Sequence, residues 1–357
     1  MTATAPAPAR HPSDTHPRLV FDRAPKRVYW EVTRACDLAC RHCRAEAVPF
    51  RHPRELDHLA ALRLLDGLAE FGEPLPHLVL TGGDPLKRPD LFALIAAARR
   101  RGFQVAVSPS ATPLVTPTAI GMFKNAGVEA ISLSIDGSTA ARHDALRGIT
   151  GTFERTLAAA RAAREVELPV QVNTLVSAAT LADLPSIALL AREIGAARWS
   201  LFFLVTVGRG AELEPISPAE CEGLMKWVAG LPPGKPVVTT TEAPHYRRVA
   251  QECGRAGGHA AGIRDGNGIV FISHTGDVSP SGFLPLVAGS VTRAAPAAIY
   301  REAQLFRDLR DPNRFTGRCG VCEYRWQCGG SRARAYAATG DPFAEDPLCR
   351  YQPRRPA

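Results

Sequence analysis

Apolar and polar positions follow two different periods along the first two thirds of the chain. Short β-type apolar runs are each followed by a segment in which apolar residues recur every three or four positions, as at Leu91, Leu94, Ile95 and Ala98. The first pattern predicts strands and the second predicts amphipathic helices. Strands are predicted at 28–33, 77–81, 103–108, 130–135, 170–175 and 198–205, and helices at 56–71, 90–101, 117–125, 153–166 and 181–194.

Strands that alternate with crossover helices predict a parallel sheet of the α/β class, with functional loops at the carboxyl ends of the strands. A complete barrel of this kind has about eight strand–helix units. The six predicted strands therefore indicate a barrel that closes only in part.

The pattern changes after residue 210. A helix is predicted at 218–229, a Pro- and Gly-rich join at 231–234, and a β-hairpin at 268–281 with its turn at 274–277. We place a domain boundary between 211 and 235 and predict three units. These are a disordered tail at 1–25, which begins with an aperiodic run of Ala, Pro, Thr and His, a barrel at 26–215, and a small α+β domain at 216–357.

Composition and charge narrow the class of protein. With 357 residues, 45% of them hydrophobic, the chain can bury a full core. It has neither the apolar stretch of a signal peptide nor a run near the roughly 18–20 apolar residues that span a bilayer, so we expect a cytoplasmic protein with no membrane partner. The net charge of +8 is dispersed and lacks nucleic-acid-binding motifs. We therefore expect no nucleic-acid partner.

The cysteines carry the clearest chemical signal. Seven of the nine lie in two tight clusters, and the first is Cys36-x3-Cys40-x2-Cys43 in the loop after the first predicted strand. A secreted disulfide framework is usually a much shorter chain, so the clustering points to metal. Three thiolates can hold three irons of a cubane and leave the fourth iron open for a ligand. The alternatives are three core cysteines or a zinc knuckle, for which His42 is an awkward fourth ligand.

The segment CDLACRHC at 36–43 resembles the radical S-adenosylmethionine (radical SAM) superfamily, whose CxxxCxxC motif follows the first strand of a partial (β/α)6 TIM barrel. The resemblance extends over about 26–210, with GGDP at 82–85 in place of the Gly-Gly-Glu-Pro segment that receives the amino group of S-adenosylmethionine (AdoMet). It implies that Cys36, Cys40 and Cys43 hold a 4Fe–4S cluster. It implies AdoMet contacts at Gly82, Gly83, Asp84, Pro85, Ser134, Asp136 and Asn173, with Ser134 and Asp136 at the ribose. Taken singly, such residues are as typical of turns and helix caps.

The second cysteine cluster lies near the C-terminus, at Cys319, Cys322, Cys328 and Cys349. In isolation it is typical of a zinc ribbon. It is also similar to the SPASM-type auxiliary module of radical SAM enzymes, in which further cysteines serve two auxiliary clusters. Arg332 and Ser281 replace two of those cysteines, and both losses fall on the same cluster. The resemblance thus implies one auxiliary 4Fe–4S cluster, with zinc as the alternative.

Four other residues of this region are candidates for a role, and three of them have two interpretations. Cys221 is predicted to be a buried thiol, and Cys253 a structural residue or a reactive, substrate-facing thiol. Arg332 and Arg334 either surround the auxiliary cluster or clamp substrate carboxylates.

The resemblance implies an enzyme that cleaves AdoMet reductively to a 5′-deoxyadenosyl radical, which then abstracts hydrogen from an organic substrate. No catalytic residue is assigned beyond the cluster ligands. The branch that makes heme d1 and heme by an alternative route is the most similar, and it implies a tetrapyrrole propionate as substrate. A maturase of ribosomal peptides or proteins is the alternative enzyme, and a non-catalytic iron–sulfur or zinc protein is the alternative of another class. The expected partners are a small-molecule or peptide substrate and an electron donor such as flavodoxin or ferredoxin.

Overall fold

One sheet organises the protein, which the computed structural model describes over residues 20–255 and 262–354. Its order is β10-β9-β8-β1-β2-β3-β4-β5-β6-β7. The strands are β1 (Arg27–Thr33), β2 (His77–Gly82), β3 (Val105–Val107), β4 (Ala130–Ser134), β5 (Val170–Val176), β6 (Arg198–Phe203), β7 (Val237–Thr241), β8 (Ile269–Ile272), β9 (Asp277–Ser279) and β10 (Gly289–Ser290).

Helices connect these strands, and most of their starts are explained by local sequence. Asp57 caps the first helix by accepting a hydrogen bond from Ala60 N at 2.7 Å, and Ser217 and Glu220 form a capping box. The helices are α1 (His58–Ala69), α2 (Leu91–Arg100), α3 (Pro117–Asn125), α4 (Ala140–Arg147), α5 (Thr152–Glu165), α6 (Leu184–Glu193), α7 (Pro218–Gly230), α8 (Tyr246–Glu252), α9 (Pro296–Glu302), α10 (Gln304–Arg310), α11 (Gly317–Val321) and α12 (Arg332–Thr339).

The parallel part of the sheet is larger than the sequence predicts. All six predicted strands are present as β1–β6, but β7 pairs parallel to β6 and β8 pairs parallel to β1. The predicted hairpin is confirmed, because β8 pairs antiparallel to β9. Within the described residues β7 and β8 do not pair, so the barrel stays open between them.

Strand alternation decides which side chains face inward. Val28, Trp30 and Val32 of β1 are buried in the main hydrophobic core. Glu31 and Thr33 alternate with them and therefore point to the opposite, inner face of the sheet. This inner face at the carboxyl end of β1 leads directly into the first cysteine cluster.

The predicted barrel and the predicted C-terminal domain share this one sheet, because β7 and β8 both follow residue 216. The division into three units stays a prediction. Residues 1–19 of the predicted tail lie outside the described residues, whereas Phe21 accepts a hydrogen bond from the Tyr300 hydroxyl at 2.6 Å. No helix in the described ranges combines the length and the apolar character needed for a bilayer crossing.

Candidate functional site

Residues 34–48, which we call the cysteine loop, are packed against backbone on three sides. A Cβ atom on Gly83 would lie 2.4 Å from Ala35 O, and one on Gly148 would lie 2.6 Å from Ala39 O. A Cβ atom on Gly208 would lie 2.6 Å from Arg44 O. Each of these distances from Cβ to a carbonyl oxygen is shorter than a real side chain can adopt. Glycine at these positions therefore lets the ends of β2 and α4, and the segment after β6, approach the loop closely.

Each sulfur of the cysteine loop accepts a hydrogen bond, and none of the three cysteines is in a disulfide. Such donors favour the thiolate form that iron binds. Burial raises the pKa of Cys36, and a bound cation would offset this effect by stabilising the thiolate. The donors are Leu38 N to Cys36 Sγ at 3.4 Å, Arg147 Nη1 to Cys40 Sγ at 3.7 Å, and Ala47 N to Cys43 Sγ at 3.5 Å.

Asp136 reaches the cysteine loop only through Arg147. Its Oδ2 atom accepts a hydrogen bond from Arg147 Nη2, and its Oδ1 accepts one from Leu175 N at 2.7 Å. Burial alone would raise the pKa of Asp136, but Arg147, the two histidines His42 and His143, and the hydrogen bond from Leu175 N together lower it. The carboxylate is thus ionised and used within the protein, and it orients the guanidinium that contacts Cys40.

Asp84 is buried at the end of β2 and also accepts hydrogen bonds from the protein. Its donors are Leu86 N at 3.2 Å, Ser110 N at 3.3 Å and Thr112 Oγ1 at 2.6 Å. Burial raises the pKa of Asp84, and the carboxylate of Asp37 raises it slightly further. None of the ion pairs found among the described residues involves Asp84, so its carboxyl group has no cationic partner there.

Two further predicted AdoMet contacts lie side by side. Ser134 at the end of β4 is the register partner of Asn173 on β5, and both side chains are half-buried on the inner face. Asn173 Oδ1 accepts a hydrogen bond from Gln171 Nε2 at 2.7 Å, which leaves its amide group to donate. The structure thus places these two polar side chains together beside Asp136.

His42 lies within the cysteine loop as an uncharged ring. Burial, and then the charge of Arg147, lower its pKa to about 4. Its Nδ1 atom is buried and has no hydrogen-bond partner among the described residues.

The sulfurs of the second cysteine cluster also accept hydrogen bonds from backbone N–H groups. Gly330 N donates to Cys328 Sγ at 3.4 Å, and Asp346 N donates to Cys319 Sγ at 3.5 Å. Backbone donors likewise act on Cys322 and Cys349. Burial raises the pKa of Cys322 to about 12 and that of Cys349 to about 11. These thiols are protonated in the absence of a bound cation.

Three arginines surround this second cluster. Arg332 is wholly buried, lies 4.4 Å from the Phe315 ring centroid, and donates to Cys319 Sγ at 3.6 Å. Burial, Arg332 and Arg247 lower the pKa of Arg264 to about 9, and Asp265 offsets this only in part. An anionic cluster bound by four thiolates would balance this buried positive charge, so the donor set fits such a group.

No three His, Cys, Asp or Glu side chains converge on the position of a single metal ion in residues 20–255 and 262–354. The ligands of a cubane bind separate irons and stand farther apart than the ligands of one ion. This finding therefore applies to sites for a single metal ion and not to sites for a cubane.

The two remaining cysteines lie outside both clusters. Cys221 is fully buried, as predicted, with its Sγ atom 3.2 Å from His245 Nε2. Cys253 is exposed at the end of α8, and its role stays a prediction.

The comparisons with known proteins identify the family. The family description "Radical SAM superfamily" matches residues 30–188. An AdoMet-dependent heme synthase from Nitratidesulfovibrio vulgaris is 40% identical over 97% of this chain and 98% of that protein. The chain belongs to the radical SAM superfamily. As a radical SAM enzyme it uses a 4Fe–4S cluster and AdoMet.

Two further similarities describe this radical SAM enzyme. A pre-heme d1 synthase from Dinoroseobacter shibae is 30% identical over 95% of this chain and 89% of that protein. The structure of Streptococcus suis SuiB bound to S-adenosylmethionine superposes with a TM-score of 0.72 at 15% identity, over 92% of this chain and 78% of that one. The second similarity establishes the fold alone, which is the partial barrel expected from the sequence.

We expect Gly83→Ala to displace the cysteine loop, because its Cβ atom would lie 2.4 Å from a carbonyl oxygen. Overpacking of this kind costs about 1–3 kcal/mol, so the melting temperature and iron binding should both fall. The control is Gly121→Ala in α3, where nothing lies within 4 Å of the added atom and a gain of about 0.5–1 kcal/mol is expected. Equal iron content in the two variants would contradict the role assigned to Gly83.

Proposed function

We propose that this radical SAM enzyme acts on an iron tetrapyrrole and removes hydrogen from a propionate side chain. The observation that carries the proposal is the 40% identity to an AdoMet-dependent heme synthase over nearly the full length of both chains. The similarity to a pre-heme d1 synthase supports the same substrate class. The similarity to SuiB, at 15% identity, concerns the fold and does not favour a peptide substrate.

We assign the AdoMet-binding cluster to Cys36, Cys40 and Cys43. When bound, the cluster and AdoMet together supply a 5′-deoxyadenosyl radical, which abstracts the substrate hydrogen. The sulfur–donor pairs and the three glycine contacts support this assignment, because they hold the loop in place before the cluster binds.

The AdoMet contacts follow from the polar residues at the strand ends. Asp84 offers an unbalanced buried carboxylate to the AdoMet ammonium, within the Gly82-Gly83-Asp84-Pro85 turn. Ser134 and Asn173 are proposed to bind the ribose, because Asp136 is already held by Arg147 and Leu175. We therefore propose a different role for Asp136. It positions Arg147 against Cys40 and does not contact the ribose.

We propose one auxiliary 4Fe–4S cluster at Cys319, Cys322, Cys328 and Cys349. Two observations support a single cluster. The Arg332 guanidinium donates to Cys319 Sγ and to the carbonyls of Pro342 and Ala344. Ser281 is buried and accepts a hydrogen bond from Phe283 N at 3.2 Å. Both positions at which a further cluster would need cysteine are thus filled by side chains bonded within the protein.

An electron donor such as flavodoxin or ferredoxin is proposed to reduce the AdoMet-binding cluster. A cytoplasmic location and the absence of a nucleic-acid partner stay predictions of the sequence.

Reconstituted protein, given AdoMet, a strong reductant and iron coproporphyrin III, should release 5′-deoxyadenosine and a tetrapyrrole with altered propionates. The Cys36→Ala/Cys40→Ala/Cys43→Ala variant should release neither product, because no open iron would remain to bind AdoMet. Chromatography with mass spectrometry measures both products. Cleavage that persists in the variant would overturn the assignment of the cluster. Cleavage without tetrapyrrole conversion in the unmodified enzyme would count against the substrate alone.

Asp84→Asn should weaken AdoMet binding while leaving the melting temperature nearly unchanged. The amide keeps an oxygen for Leu86 N and Ser110 N but loses the charge, and a charged hydrogen bond contributes roughly 1.5–3 kcal/mol. Calorimetry gives the affinity. Asp144→Asn is the control, because that carboxylate also accepts two backbone N–H groups, from Gly151 and Phe153. Equal AdoMet affinity in both variants would reduce Asp84 to a turn residue.

Anaerobic protein should contain about eight iron atoms per chain, the content of two cubanes. The triple cysteine-loop variant should retain about four, and Cys322→Ala/Cys328→Ala should also retain about four. Iron, sulfide and zinc analyses measure these contents. About twelve irons would mean that a third cluster forms despite Arg332 and Ser281, and about four irons with one zinc would favour the zinc alternative.

A further inference from the structure

A histidine and a buried carboxylate are paired beside the cysteine loop. His274, in the turn between β8 and β9, has its Nδ1 atom 2.7 Å from Glu31 Oε1. The other oxygen of Glu31 lies 3.2 Å from Arg44 Nη2. Burial alone would raise the pKa of Glu31, but Arg44 and then His274 lower it overall. An ionised carboxylate only accepts hydrogen bonds, so Nδ1 of His274 carries the proton.

This tautomer leaves Nε2 of His274 as the ring atom with a free lone pair. Nε2 has no hydrogen-bond partner among the described residues, and it is not among their fully buried polar atoms that lack a partner. The side chain is 10% exposed, so a ligand can reach Nε2. His52 packs edge-on against the ring, with centroids 5.2 Å apart, and further restricts its orientation.

The pair lies on the inner face of the sheet, near the proposed AdoMet-binding cluster. Glu31 alternates with the core residues of β1 and therefore faces inward. Phe271 of β8 does the same, because its neighbours Val270 and Ile272 are in the core. Arg44 follows Cys43 directly in sequence, and its guanidinium lies 4.4 Å from the Phe271 ring centroid. A ligand held by Nε2 would thus bind within the open barrel, beside the cysteine loop.

An imidazole whose other nitrogen donates to a carboxylate is the arrangement that metal-ligating histidines adopt. The described residues offer no group of three side chains that could complete a metal site. A metal held by His274 would therefore have to bring its other ligands with it. An iron tetrapyrrole does so, because the macrocycle supplies four nitrogens and leaves only axial positions open.

We infer that Nε2 of His274 is an axial ligand to the iron of the tetrapyrrole substrate. The inference rests on the proposed function and adds a positioning device to it. The iron–nitrogen bond would fix the plane and depth of the macrocycle, so that a propionate at its edge faces the site where hydrogen is abstracted.

The test uses two probes that differ only in the metal, hemin and metal-free protoporphyrin IX, each titrated into reconstituted full-length protein. Resonance Raman spectra of the reduced hemin complex should show an iron–histidine stretching band. His274→Gln should abolish this band and weaken hemin binding by at least about tenfold, while the affinity for the metal-free probe stays unchanged. His274→Gly should regain an iron–imidazole band when imidazole is added. The control is His58→Gln, since His58 is another carboxylate-paired histidine, 2.8 Å from Asp90 Oδ2 on the outer surface.

The outcomes separate the inference from the proposed function. If the unmodified protein binds both probes but shows no iron–histidine band, or if His274→Gln retains the band, the inference is wrong and the substrate class stands. If the unmodified protein binds neither probe, both the substrate class and the inference are overturned. If His274→Gln fails to fold, His274→Gly with added imidazole carries the test, and a missing iron–histidine band in the unmodified protein still overturns the inference.

Discussion

The close backbone contact around the cysteine loop is the constraint on which the rest of the site depends. Gly83, Gly148 and Gly208 come from three separate parts of the chain, and each lies where a single methyl group would collide with a loop carbonyl. Apart from an isolated bridge between Ala35 and Val48 at its two ends, this loop belongs to no helix or strand, so these neighbours largely set its conformation. The positions of the three sulfurs are therefore a property of the whole barrel rim.

At the C-terminal cysteines the main constraint is buried positive charge and not close backbone contact. Arg332, Arg264 and Arg247 are held together below the protein surface, where burial makes each guanidinium costly without a counter-charge. Arg332 stands where the resemblance to SPASM-type modules would expect a cysteine, and its guanidinium donates to Cys319 Sγ. Gly330 allows this contact, because a Cβ atom there would lie 2.5 Å from Arg332 Nη2.

Periodicity predicted the six barrel strands and the hairpin, whereas the metal binding that the cysteine spacing indicates stays a proposal. The strand β7 was missed because its sequence, Val-Val-Thr-Thr-Thr, is half-exposed and does not alternate. The helix α4 was missed because it is short and polar, yet it carries Arg147. The motif located Asp136 just after a strand, but it could not show which groups Asp136 contacts. Those contacts decide whether the carboxylate is available to a ligand. His274 was assigned only to a turn, since Glu31 is 243 residues away in sequence.

The shared sheet has a consequence for how such a protein could have evolved. Two strands encoded in the C-terminal half, β7 and β8, cover the two sides of the six-stranded N-terminal half. A gene fragment that ended near residue 215 would encode a sheet with β1 and β6 as bare edges, which attract other chains. Recombination at that point would thus have to supply replacement edge strands together with any new metal-binding segment. The C-terminal half thus supplies two strands of the barrel's own sheet.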